Sequence, residues 1–161
     1  MMYQFLLCHR HFALQRSRRW SAGAMLLASL LLVACDSPPT DSPAEEGQQL
    51  LVGSWLREYD QEGAHVRRLL VLEQDGRFSE AARVVAVGGT VTEHLHTGQW
   101  LFDGTNLKRK YTSADGKPLS RLRLPYATFQ IRFNSNRAFT GTDNLRQREV
   151  HYRRAEPGAA L

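Results

Sequence analysis

Thr92-Glu93-His94-Leu95-His96 is the stretch of this 161-residue sequence whose residue types and spacing come nearest to chemistry. On an extended strand, residues two apart share a face, so both imidazoles can point one way. At that spacing they can chelate Zn²⁺ or Cu²⁺. A metal would need a third ligand; His65, Glu93 and His151 are available, though Glu93 falls on the opposite face. The same alternation carries Gly98, Trp100 and Phe102 onto the histidines' face, which would put His94 and His96 at the mouth of a barrel that holds Trp100 inside. The plainer expectation, and the one adopted, is two partly exposed histidines near a strand end, satisfied by water or carbonyl groups. A glycine two residues later often marks a bulge, and a bulge resets the alternation.

Cations form the second set: Lys108-Arg109-Lys110, Arg121 and Arg123, Arg132, Arg137, Arg146 and Arg148. Alternation groups Arg109 with Leu107 and Tyr111, opposite Lys108 and Lys110, and groups Arg121 and Arg123 with Leu119. An arginine on an inward face can meet an anionic head group, either a carboxylate or a lipid phosphate. The alternative is a solvated strand surface that resists edge pairing and rests against anionic lipid. Signatures of catalysis are missing: there is no G-x-x-x-x-G-K-[ST], G-x-S-x-G, H-E-x-x-H or C-x-x-C. Serines are scattered in turn segments. The expectation is therefore a protein that is not an enzyme and has no cofactor.

The elements that must position these residues read as short strands. From Leu50 to Arg154 no stretch keeps a 3.6-residue apolar period over three turns, and period-two alternation dominates. Turn signals recur at Asp75-Gly76, Gly88-Gly89, Asp103-Gly104, Asp115-Gly116, Asn134-Ser135-Asn136 and Thr142-Asp143-Asn144. Strands are expected near 51–59, 65–73, 77–87, 90–101, 105–113, 118–124, 126–133, 137–141 and 146–154. An antiparallel meander with an apolar face has exposed edges unless it closes, so the fold expected is a small up-and-down β-barrel of about eight strands. Trp55, Phe78, Trp100, Phe102, Tyr111, Tyr126, Phe129, Phe133, Phe139 and Tyr152 place about one aromatic on each strand, as a small barrel core needs.

Gly53-Ser54-Trp55 at the start of the first strand resembles the G-x-W of lipocalins and lipocalin-like (calycin) domains. Leu70–Phe78 resembles that family's second hairpin, and Gly98-Gln99-Trp100 with Asp103–Leu107 resembles the next. Val150-His151-Tyr152-Arg153-Arg154 is similar to the closing strand. The likeness spans about 105 residues in order. It implies that Trp55 and one of Arg153 or Arg154 form a cation–π closure at the barrel base, with Gly53 beside them. With the alternation above, a ligand site is expected at the open end, lined by His94, His96, Trp100 and arginines among Arg109, Arg121 and Arg123. The domain is shorter than a secreted lipocalin and lacks its disulfide, so a shallow pocket is expected.

The amino-terminal segment reads as an address. Residues Met1–Arg19 hold four arginines and no acid, and Ala22–Ala34 is an apolar run too short to span a bilayer stably. Leu32-Val33-Ala34-Cys35 resembles the lipobox of bacterial lipoproteins. That resemblance implies cleavage between Ala34 and Cys35, a covalent diacylglycerol on the Cys35 sulfur and an N-acyl chain, which together hold a protein on a membrane. Cys8 would leave with the signal, so no disulfide could form. Asp36 resembles the inner-membrane retention signal of enteric bacteria, while other bacteria read later positions; inner or outer membrane stays open.

The organisation expected is a cleaved signal (1–34), a lipidated cysteine with a flexible acidic, proline-rich tether (35–49), a lipocalin-like barrel (50–154) and a disordered tail (155–161). Charge divides along the same lines. The formal +5 of the chain includes four signal arginines; the tether carries −4, residues 50–154 carry +6 and Glu156 in the tail carries −1, leaving +1 after cleavage. A periplasm-facing domain of that charge is not expected to bind nucleic acid. Three functions follow as expectations: a bacterial envelope lipoprotein binding a small amphiphilic or anionic ligand, an interaction module docking on an envelope protein through its basic face, or periplasmic metal binding through His94 and His96.

Overall fold

A computed structural model describes residues 42–120 and 125–161. The lipobox residues Ala34 and Cys35, and the arginines Arg121 and Arg123, lie outside the described residues. A helix, α1 (Pro43–Leu51), precedes nine strands: β1 (Gly53–Gln61), β2 (Ala64–Leu72), β3 (Arg77–Ala86), β4 (Val91–Phe102), β5 (Asn106–Ala114), β6 (Lys117–Pro118), β7 (Tyr126–Ser135), β8 (Ala138–Asp143) and β9 (Glu149–Arg154). Eight of them close into an antiparallel barrel through β1–β2–β3–β4–β5–β7–β8–β9 and back to β1, with the two-residue β6 appended to β5. The order is an up-and-down meander, as the alternation and turn spacing imply. Closure pairs every full strand on both sides and leaves no long free edge.

Hairpins form where the sequence supplies positive φ. At Asp115-Gly116 both central residues are left-handed (φ 48° and 76°), the combination a two-residue primed turn requires. Glu62-Gly63 does the same between β1 and β2 (φ 52° and 75°) with a glutamate in the first position.

The core fills one end of the barrel. Trp55, Leu70, Leu72, Phe78, Trp100, Leu107, Phe139 and Tyr152 are buried there, and Leu51 of α1 joins them. Trp55 meets Phe139 edge-on at 4.7 Å, and Phe139 stacks on Tyr152 at 5.0 Å. Each large side chain buried this way is worth about 1.5–3 kcal/mol relative to exposure.

Three expectations need correction. Residues 43–49, assigned to a flexible tether, are helical, and the helix runs on through Leu50 and Leu51. Ser42 and Glu45 form a reciprocal capping box and Pro43 occupies the first turn, where its missing N–H costs nothing. The composition that reads as disorder is here a helix start, and Gly47 lets the helix lie directly against the Phe102 ring. The tail 155–161 is also engaged. Ala155 N–H donates to the Ser54 carbonyl (2.9 Å), and Arg67 Nε donates to the Ala160 carbonyl (3.1 Å). The strand expected over 118–124 is present only as Lys117–Pro118, with 121–124 outside the described residues.

Candidate functional site

The barrel has one filled end and one hollow end. α1 crosses the first, where Leu51 and Trp55 have no exposed surface and Trp55 Nε1 donates to the Leu51 carbonyl (2.7 Å). Arg154 seals it. Its guanidinium stands 4.0 Å from the Trp55 ring centroid and donates to the carbonyls of Val52 and Leu50, each at 2.6 Å. Gly53 (φ 121°) lies so close to Arg154 Nη1 that a Cβ there would collide with it. The closure implied by the resemblance is therefore formed, and Arg154 makes it. Arg153 points outward to Glu58 (3.0 Å).

The other half encloses a cavity of about 690 Å³, which reaches the barrel end bounded by Gln61, Tyr126 and the β8–β9 turn. That is a ligand-sized volume, larger than the shallow pocket expected. Its wall carries a charged cluster. Glu80 on β3 and Arg109 on β5 are only 3% and 4% exposed, and they are paired. Arg68 on β2 reaches the other Glu80 oxygen at 2.5 Å and donates to the Tyr59 hydroxyl at 2.9 Å. Tyr111 donates to the Glu80 oxygen that Arg109 holds (3.3 Å). Arg57 on β1 lies 4.0 Å over the Tyr59 ring.

Burial works to raise the Glu80 pKa, but the charges of Arg109 and Arg68 outweigh it and hold the carboxyl below its ordinary range. Burial likewise opposes the charge on Arg109, and Glu80 overcomes it. Burial pushes the Tyr111 and Tyr152 phenols up, so both stay protonated as hydrogen-bond donors at neutral pH. The site is thus a set of fixed cations and O–H donors around one satisfied carboxylate. That chemistry binds acceptors.

Among the residues expected to bind ligand, Arg109 lines this cavity. His94, His96 and Trp100 do not. The bulge foreseen near Gly98 exists, but it falls on the partner strand. Thr97 pairs with Ser113 and Gly98 with Tyr111, so Thr112 is the extra residue and β4 keeps its alternation. Gly98 is required for another reason: a Cβ there would run into the Lys110 carbonyl. His96 consequently faces Glu80 across the ladder and meets Tyr111 edge-on at 5.7 Å. His94 pairs with Asp115 at 3.3 Å at a half-exposed position. Of the suggested third ligands, His65 pairs with Asp60 (2.9 Å) and His151 contacts Thr140 (3.1 Å). Among the described residues no group of three metal-ligating side chains converges. Trp100 is a core residue whose Nε1 donates to the Glu73 carbonyl (2.9 Å).

Arg57, Tyr59, Arg68 and Glu80 were not anticipated. The signal lay in alternation: Arg68 sits between Val66 and Leu70, and Glu80 between Phe78 and Ala82, each a charge at a core-facing position. On the outer face much of the basic excess is neutralised. Glu58 takes both Arg67 and Arg153, Asp103 takes Lys108, and Glu156 takes Arg137.

A closed eight-stranded antiparallel barrel with an internal polar cavity is compatible with a lipocalin-like, ligand-binding domain. A scan against protein-family models gives no match, and a search of curated proteins finds none significantly similar.

Proposed function

We propose that this protein is a bacterial envelope lipoprotein, anchored through acylated Cys35 and facing the periplasm, whose barrel binds a small anionic ligand and catalyses nothing. The observation that carries the binding function is the wall of the cavity. Three guanidinium groups and several phenols surround one carboxylate, inside a chamber that reaches one end of the barrel. Charge-assisted hydrogen bonds from such groups to an anion are about twice as strong as neutral ones. The range of possible ligands narrows from amphiphiles in general toward anions, because Arg57, Arg68 and Arg109 all line the cavity.

Native mass spectrometry of protein purified from membranes tests this, followed by calorimetry with small organic anions. A retained anionic ligand, or binding that is lost in Arg68→Leu, supports it. An empty barrel that binds no anion overturns it.

A further inference from the structure

We infer that the ligand carries two negative charges on a small polar body; this rests on the anion-binding function just proposed and specifies its substrate class. Arg57 and Arg68 stand directly opposite each other in the β1–β2 ladder, on the inward face. Like charges at that position repel and destabilise a sheet. One carboxylate, Glu80, serves the whole group, and its two oxygens are already taken by Arg68 and Arg109. Among the described residues Arg57 makes no hydrogen bond or ion pair, and it rests on Tyr59. Three cations against one anion leave the inner wall with an excess of two.

The rim does not cancel that excess. Arg146 and Arg148 there face Asp143 and Glu149 and sum to zero. A monoanion would leave one charge of the excess standing, whereas a dianion cancels the Arg57–Arg68 repulsion entirely. Tyr59, Tyr126, Gln61 and Thr128 offer hydroxyl and amide partners along the wall, which suits a hydroxylated body better than an acyl chain.

Phosphate monoesters and dicarboxylates share this chemistry, and separate probes distinguish them. Calorimetry on the full-length protein would compare glycerol 3-phosphate, succinate, butyrate and glycerol. One of the two dianions is expected to bind at least about tenfold more tightly than butyrate, and glycerol not measurably. Arg57→Gln should bring the dianion down to the butyrate level while butyrate affinity changes by less than about threefold. Arg57→Lys, which keeps the charge, should retain the preference and serves if the glutamine variant fails to fold. Butyrate binding as tightly as both dianions, or a dianion preference indifferent to Arg57→Gln, overturns the inference and leaves anion binding standing. Absence of binding by every anion overturns both.

Discussion

Arg154, on the last strand, lies over the indole of Trp55, on the first, and its two terminal nitrogens bind the carbonyls that link α1 to the barrel. One side chain thereby joins the ends of the meander and the helix that covers them. Arg154→Ala should remove a cation–π contact and two charged hydrogen bonds, destabilising the fold by about 3 kcal/mol. Arg153→Ala, next in sequence but outward and exposed, should cost less than about 1 kcal/mol. Urea unfolding midpoints of the two variants measure the contrast, and equal shifts would contradict it.

Glu80 is the only acid in a nest of arginines on the inner wall, among the described residues. Glu80→Gln strands a buried guanidinium and should destabilise by about 3–5 kcal/mol, whereas Glu80→Gln combined with Arg109→Met should recover part of that loss. A double-mutant cycle read by thermal unfolding decides it.

Acid should act on the same pair. The folded-state pKa of Glu80 lies below its unfolded value, so its contribution is fully present above the unfolded carboxyl range and is lost as pH falls through the folded value. Stability attributable to Glu80 should hold from neutral pH to about 5 and decline below about 4. Glu80→Gln should lack this component of the acid transition; an unchanged acid limb would rule it out.

Gly98→Ala should be among the most damaging single-methyl changes in the chain. The added carbon meets a backbone carbonyl on β5, which cannot swing aside, and the Phe78 ring beyond it. Loss of about 2–4 kcal/mol is expected, against less than about 1 kcal/mol for Gly88→Ala, where nothing lies within 4 Å.

For the anchor, Cys35→Ser should release the protein from membranes and abolish labelling by radioactive palmitate. Continued labelling would contradict lipidation at that cysteine.

How much of this was legible in the sequence depends on range. Alternation along each strand and the Asp-Gly turns between them are local, and the barrel followed from them. The pairing of Trp55 with the final arginines also showed through, because the motifs occur in barrel order. The cavity was harder. Arg57, Arg68, Glu80 and Arg109 come from four strands, and only the register of the closed sheet sets Arg68 against Arg57 and Glu80 near Arg109. A charge at a core-facing position was visible in each strand; which charge it meets is a property of closure. The helix escapes a reading by composition for a local reason: Pro43, Glu45 and Glu46 count toward disorder in bulk, while their positions after Ser42 spell a capped helix start.

The stopper formed by α1, Trp55 and Arg154 has a kinetic consequence. Under the ligand-binding function proposed above, a chamber with a plugged base would admit and release its ligand at the open end, so a newcomer could not expel the resident from behind. Exchange must then be strictly sequential, departure before arrival. The rate at which a labelled guest is replaced should be the same at low and at high excess of competitor, set by the resident's own escape.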